Sequence, residues 1–223
     1  MPTDPNIIAE GASYVVWDVE TLRLSHEVRG GWRNIKDFGL AVAVTIDNSG
    51  VQKAWEEHEA AALIDYLTLY PAVVGFNSRR FDLQVLGAYG AVDHLHISTL
   101  DLLESLQALT GRRKGMSLQG IAQAMFGVGK LLADGTEAVR LWRSGRPEDR
   151  SRVIEYCAQD VELTRRILEF GLQHGYVLAP IPNIQQEGTL VPTQIAVDWG
   201  LMINPKPGPR LAEPEASSFP TSG

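Results

Sequence analysis

The stretch YVVWDVETL, residues 14–22, closes an apolar run with Asp18 and Glu20, one residue apart. In an extended strand, side chains at i and i+2 stand on the same side of the sheet, so these two carboxylates would lie side by side and repel. Such a pair suits a hard divalent cation, Mg²⁺ or Mn²⁺, because oxygen ligands bind these ions and their charge relieves the repulsion. The same tripeptide recurs as Asp160-Val161-Glu162 in YCAQDVELTRRI, residues 156–167. There the periodicity is helical, and positions i and i+2 sit about 200° apart around the axis, so one ligand cannot bridge both acids.

On a helical wheel Asp160 shares an arc with Val153, Tyr156, Cys157, Val161, Thr164, Ile167 and Leu168, while Glu162 falls among Glu155, Arg165, Arg166 and Glu169. Asp160 is therefore the acid on the core-facing side, where a carboxylate without a cation or several donors is costly. Glu162 reads as a solvated surface charge. Tyr156, one turn before Asp160, can reach whatever Asp160 binds. Cys157 reads as a packed thiol. A third acid lies in VVGFNSRRFDLQVL, residues 73–86, where a buried strand ends at Gly75, the chain turns through Asn77, and Asp82 follows Phe81 into a helix. Ligands collect at the carboxyl ends of strands in α/β sheets, and helix starts favour acids through the macrodipole, so Asp82 carries both readings. Asn77 fits a turn or cap.

The elements that must hold these residues follow from pattern and punctuation. Strands are expected over 13–18, 35–46 and 50–55, the last two joined by Asp47-Asn48-Ser49-Gly50. A helix over 56–70 stops at Pro71; a buried strand over 72–76 and a helix over 80–89, ended by Gly90, come next. A fifth strand is expected over 96–100, then helices from 100 to 109, 117–126, 136–143 and 147–174. Asp101 reads equally as the cap of the helix it precedes or as an acid behind the site. The order predicts an α/β fold: a mixed five-stranded sheet, its first three strands antiparallel and the rest parallel, flanked by helices.

The chain has 223 residues, 44% of them hydrophobic, enough for one sizeable core. Its formal charge of −7 opposes general coating of nucleic acid, so any such contact must be local. One cysteine excludes an internal disulfide framework. No run approaches the roughly 18 apolar residues of a membrane span, and MPTDPNIIAEG lacks the basic lead and apolar run of a secretory signal, which makes the cytoplasm the expected compartment. Eight of the twelve prolines fall from Pro180 onward. The expected organisation is an extension over 1–12, a domain over 13–178, and a Pro-rich extension over 179–223 with a strand or hairpin near 188–199, Trp199 packing back, and a mobile tail.

Asp18-x-Glu20, Asn77-x-x-x-Phe81-Asp82 and Tyr156-x-x-x-Asp160, in that order, resemble the three motifs of the DEDD superfamily of 3′→5′ exonucleases. The resemblance covers roughly residues 13–175 and is to the subgroup with tyrosine in the third motif, similar to the exonuclease domains of family B DNA polymerases. The histidine subgroup would place His where this chain has Glu155. The resemblance implies the ribonuclease H-like fold and release of nucleoside monophosphates from single-stranded or frayed DNA. It implies that Asp18, Glu20, Asp82 and Asp160 hold two divalent cations, Mg²⁺ or Mn²⁺, which acidify a water and stabilise the leaving 3′ oxygen. Tyr156 would orient that water, Asn77 and Phe81 would shape the strand end, and Thr21 and Leu22 would contact the terminal nucleotide.

Positive charge clusters at Arg79-Arg80, at Arg112-Arg113-Lys114 and at the arginines 140, 143, 146, 150 and 152; of these Arg79, Arg80 and the 112–114 loop are singled out as candidates for the path of a single strand. The expected partners are a nucleic-acid 3′ end and a polymerase, helicase or repair complex, with no membrane. Two alternatives stand beside this one: an exoribonuclease on the same fold, and a non-catalytic nucleic-acid-binding module. The long segment from Arg23 to Arg33, with Gly30-Gly31, departs from the motif pattern and leaves the mouth of the site open.

Overall fold

The computed structural model describes residues 13–112, 116–128, 135–183 and 189–200. Its centre is a five-stranded sheet in the order β3-β2-β1-β4-β5, built from β1 (Tyr14–Thr21), β2 (Leu40–Asp47), β3 (Gln52–Glu56), β4 (Ala72–Gly75) and β5 (Thr99–Asp101). β2 runs antiparallel to β1 and β3 antiparallel to β2, whereas β4 is parallel to β1 and β5 to β4. The expected mixed sheet is present. Because β1, β4 and β5 run the same way, their carboxyl ends open on one edge.

The alternation along β1 decides which side chains meet which helices. Val15, Trp17 and Val19 enter the core beneath α1 (Ala60–Thr68), α2 (Asp82–Leu86) and α3 (Asp93–Ser98), with Leu63, Leu67, Leu83 and Leu95. Tyr14 and Val16 enter the opposite core with Leu102 and Leu106 of α4 (Leu102–Thr110), Ile121 of α5 (Leu118–Phe126) and Cys157, Val161, Ile167 and Leu168 of α7 (Pro147–His174). Asp18 and Glu20 continue that second face, towards α7. Short α6 (Gly135–Arg143) packs Ala138, Leu141 and Trp142 against Val42 and Tyr156.

Helix α7 begins and ends at the expected residues. Pro147 stands in its first turn, where a missing N–H leaves no bond unmade, and Gly175 closes it in the left-handed conformation at φ 73°. Where the strand β4 stops at Gly75, β1 loses its parallel neighbour beyond Val16. That gap beside the end of β1 is where the site forms.

Four elements differ from expectation. Ile35–Phe38 is a 3₁₀ turn rather than strand, because Phe38 buries inward and Gly39 turns the chain at φ 71° before β2 starts at Leu40. α2 spans Asp82–Leu86, shorter than 80–89. His96–Ser98 is the end of helix α3, with Leu95 buried, and the fifth strand is only Thr99–Asp101. Short apolar runs fit either period, and here burial of one helical side chain prevailed over alternation.

The fourth difference is at the C-terminal side. The boundary drawn after residue 178 falls inside β6 (Tyr176–Pro182), which forms an antiparallel hairpin with β7 (Leu190–Ala196). Val177 and Ala179 belong to the α7-side core. Trp199 packs back as expected, with 1% of its surface exposed and its Nε1 donating to Ser105 Oγ at 2.8 Å. A Cβ at Gly171 would collide with the Trp199 ring, so α7 needs glycine at that crossing. Removing the ring would cost about 3–5 kcal/mol. The expected extension over 1–12 and the tail beyond residue 200 lie outside the described residues. No helix among the described residues is long and apolar enough to cross a membrane.

Candidate functional site

Four acids from three elements line one cavity of about 430 Å³: Asp18 and Glu20 at the end of β1, Asp82 at the start of α2, and Asp160 in the middle of α7. Each arrives for a local reason. β1 delivers two by its period. Asp82 sits in the first turn of α2 and accepts the Val19 N–H at 3.0 Å, filling the hydrogen-bonding position that β4 leaves empty. Asp160 lies one helical turn beyond Tyr156 and Cys157, both buried against the sheet.

The electrostatics register this convergence. Burial pushes Glu20 up to about 8, and the charges of Asp160 and Asp82 add to it. Asp18 is raised well above the carboxylate range by burial, then by Asp82, Asp160 and Glu20. Asp82 rises to about 7 through burial, with Asp101 adding and the Val19 N–H opposing. Asp18 and Glu20 nonetheless keep partly exposed surface, on the cavity, so water in the cleft moderates their repulsion. Burial and three like charges act on the same oxygens, and a cation is the direct remedy.

A hard divalent cation fits this donor set by chemistry: every candidate ligand is a carboxylate oxygen. Among the described residues no group of three or more His, Cys, Asp or Glu is already drawn to coordination distance. The carboxylates are held instead by protein donors. Gln119 Nε2 donates to Asp160 Oδ1 at 2.7 Å, and the Cys157 thiol approaches Asp18 O at 3.4 Å and Asp18 Oδ2 at 3.8 Å. The thiol is pushed well up by burial and then by the acids, which keeps it protonated and a donor.

Tyr156 is 8% exposed, its ring among Val42, Leu141 and Val153. Burial raises its phenol, and the charges of Asp160, Glu20 and Asp18 raise it further, so the hydroxyl stays protonated; Tyr156 is not among the residues that line the cavity. Asn77 holds φ 66°, the one non-glycine in that region among the described residues, and with Phe81 it lines the cavity. Its N–H donates to Asp101 Oδ1 at 2.9 Å, Arg79 N to Asp101 Oδ2 at 3.1 Å, and Glu104 N to Asp101 Oδ1 at 3.1 Å. Asp101 thus caps α4 and fixes the turn before Asp82 at once, combining both sequence-level readings.

Thr21 lines the cavity, while Leu22 packs beside the Val42 cluster and does not line it. Arg79 and Arg80 do not line it either. Arg79 reaches the Thr99 carbonyl and lies 3.7 Å from Glu104; Arg80 Nε lies 3.2 Å from Glu104. Those two guanidiniums brace β5 and α4. Three arginines of α6, α7 and the turn between them are similarly engaged: Arg140 with Glu137, Arg146 with Asp149, and Arg150 with Glu56. Arg152 is exposed. Arg113 and Lys114 lie outside the described residues.

Sequence reasoning missed Gln119, which patterning places on a helix without marking its target. Arg143, one of the clustered arginines, serves the fold instead: its Nε donates to Leu22 O at 2.8 Å while its two terminal nitrogens each meet a Glu27 oxygen at 2.7 Å. Those bonds hold Glu27 down at about 2 and fasten the segment after β1 to α6. Arg23, His26, Trp32 and Phe38 of that segment line the cavity too. The signal for Trp32 was present: an aromatic following Gly30-Gly31 among polar residues.

The family profile described as RNase_H superfamily matches residues 17–170, well over half of the chain, including every acid of the cavity. The chain belongs to the RNase_H superfamily. Nucleases of this superfamily are hydrolases that generally use divalent metals. The coordinates of this RNase H-like chain are also similar to the family B DNA polymerase of the hyperthermophilic archaeon Pyrobaculum calidifontis, with TM-score 0.55 and 17% identity over 72% of this chain and 24% of that one. At that identity the likeness speaks to the fold, and the chain spans about a quarter of the polymerase's length. No curated protein matches the sequence significantly.

Proposed function

We propose that this RNase H-superfamily chain is a metal-dependent 3′→5′ exonuclease of the tyrosine DEDD type, acting on single-stranded or frayed DNA ends and releasing nucleoside monophosphates. The observation that carries the proposal is the convergence of Asp18, Glu20, Asp82 and Asp160 on one cavity, with Asn77 and Phe81 at its wall and Tyr156 one helical turn before Asp160 on α7. The activity is assigned to the unit from residue 13 through the β6–β7 hairpin.

Two divalent cations, Mg²⁺ or Mn²⁺, would when bound neutralise charge at the scissile phosphate and lower the pKa of a water. The four carboxylates are the groups that hold them, and Gln119 keeps Asp160 turned in its rotamer. Tyr156, kept protonated by burial and by the charges of the acids, orients the attacking water through its hydroxyl. Thr21 contacts the terminal nucleotide. The turn held by Asp101 fixes where Asp82 starts its helix.

The test is hydrolysis of a 5′-labelled oligodeoxynucleotide with Mg²⁺ or Mn²⁺ by wild type and Asp18→Ala. The expected result is stepwise shortening from a free 3′ end, blocked by a 3′-phosphorothioate cap and abolished in the variant. Absence of metal-dependent cleavage of any 3′ end would leave a non-catalytic nucleic-acid-binding module. Cleavage of RNA in preference to DNA would make the chain an exoribonuclease.

A further inference from the structure

Of the five tryptophans, four are buried: Trp17 is 1% exposed, Trp55 3%, Trp142 6% and Trp199 1%. Trp32 is 66% exposed, although it stands at the wall of the acidic cavity. It is not a loose side chain. Its ring lies 5.4 Å from Phe38 and 6.0 Å from Phe81, and those two rings lie 6.1 Å apart, the spacing of mutually packed aromatics. Phe81 immediately precedes Asp82, so the cluster joins the exposed indole to the acid-bearing wall. Gly30 at φ 87° and Gly31 at φ 56° make the turn that presents it, a pair of conformations that other residues rarely adopt. Arg143 fastens the base of the same segment through Glu27 and the Leu22 carbonyl. The indole is braced by two neighbouring rings while most of its surface meets solvent, an arrangement that forgoes most of the burial a tryptophan can gain.

Charge points to the occupant. Within a chain of formal charge −7, residues 23–38 carry four basic side chains, Arg23, Arg29, Arg33 and Lys36, against two acids, Glu27 and Asp37. Arg29, Arg33 and Lys36 are exposed and flank Trp32. Glu27 is taken up by Arg143, so its charge does not offset them. A supported aromatic face amid exposed cations beside a carboxylate cavity matches a polymer of bases and phosphates, since stacking accepts any base and cations follow the backbone. Resting on the nuclease reading of the cavity, we infer that segment 23–38 is a docking arm for single-stranded nucleic acid, with Trp32 stacking an unpaired base at the cavity mouth and Arg29 and Arg33 receiving the adjoining phosphates.

The experiment uses the full chain in EDTA with 5′-fluorescein dT₁₂, read by anisotropy and by tryptophan emission. The oligonucleotide should quench wild-type emission, because Trp32 is the accessible tryptophan among five. Trp32→Ala should weaken Kd about 5- to 150-fold, Trp32→Phe should restore most of it, and Arg29→Ser with Arg33→Ser should make the salt dependence shallower. Abasic residues at the 3′-terminal positions should remove the difference between wild type and Trp32→Ala. Unchanged wild-type emission on addition of dT₁₂ sinks the inference without any variant, as does equal loss of affinity with the abasic strand. Metal-dependent hydrolysis of thymidine 5′-monophosphate p-nitrophenyl ester, which offers a single nucleotide, separates the two proposals. Hydrolysis that requires Asp18 with no Trp32 effect on strand binding rejects the arm alone; Trp32-dependent binding with no hydrolysis of ester or strand rejects the nuclease reading alone.

Discussion

The tripeptide Asp-Val-Glu sends both of its acids into the cavity from β1, at Asp18 and Glu20, but only one from α7, at Asp160. Glu162, the counterpart of Glu20, faces outward and pairs with Arg165 at 2.8 Å. The same tripeptide thus keeps its aspartates together but parts its glutamates, because a strand repeats every two residues and a helix about every 3.6. The middle valine makes the same point: Val19 enters the α1–α3 core and Val161 the α7 core, opposite the acids in one case and beside Asp160 in the other. Composition around a carboxylate is therefore a poorer guide to chemistry than the backbone period beneath it.

The sharpest way to break this comparison is one substitution made in both copies. Glu20→Gln should lower metal-dependent cleavage by about 10²- to 10³-fold, the scale of removing one preorganised electrostatic group. Glu162→Gln should leave the rate as it is; comparable losses from the two, in steady-state cleavage of one oligonucleotide, would show that the backbone period does not sort them. Next, Tyr156→Phe should cut turnover about 10²-fold while Mn²⁺ affinity by calorimetry stays at the wild-type value, because the phenol acts on water rather than on the ion. Gln119→Ala should weaken Mn²⁺ binding about 10-fold, as lost outer hydrogen bonds to ligands do, and Gln119→Glu should weaken it further by leaving Asp160 a like-charged neighbour.

A smaller effect concerns pH. Glu20 moves from 4.5 to about 8 on folding and Asp82 from 3.8 to about 7, so the folded, metal-free protein retains protons that the unfolded chain has released. Their contribution to stability is complete below about pH 4 and is lost as pH rises through 7 to 8. The metal-free Tm should fall across that window, and the stabilisation by added Mn²⁺ should grow with it; a Tm that rises steadily from pH 5 to 8 without metal would contradict the raised pair. The smallest effect expected is that of Glu162→Gln on stability, under about 1 kcal/mol by chemical denaturation, since a partly exposed ion pair contributes little.

Much of this site could be read from spacing. The period of β1 put Asp18 and Glu20 on one face, and the wheel of α7 put Asp160 and Tyr156 on its buried arc, because both arguments need only local geometry. Helix ends with unambiguous punctuation, Pro147 and Gly175 above all, fell where expected. The strand expected over 35–46 and the strand expected over 96–100 went wrong where short apolar runs are compatible with either period, and Phe38 and Leu95 found burial in turns and helix instead. β6 was obscured by Pro180 and Pro182, which a two-stranded ribbon tolerates because both of its strands are edges.

What the chain determined by itself was the set of acids and the faces they occupy, since a side chain's direction follows from the backbone period within a few residues. Only the tertiary structure decided that Asp82 would close onto Val19 across 63 positions, that Arg79 and Arg80 would serve Glu104 rather than the cavity, and that Arg143 would tie down the segment carrying Trp32. Those outcomes depend on which distant groups compete for each donor and each charge, and that competition exists only once the sheet has brought them together.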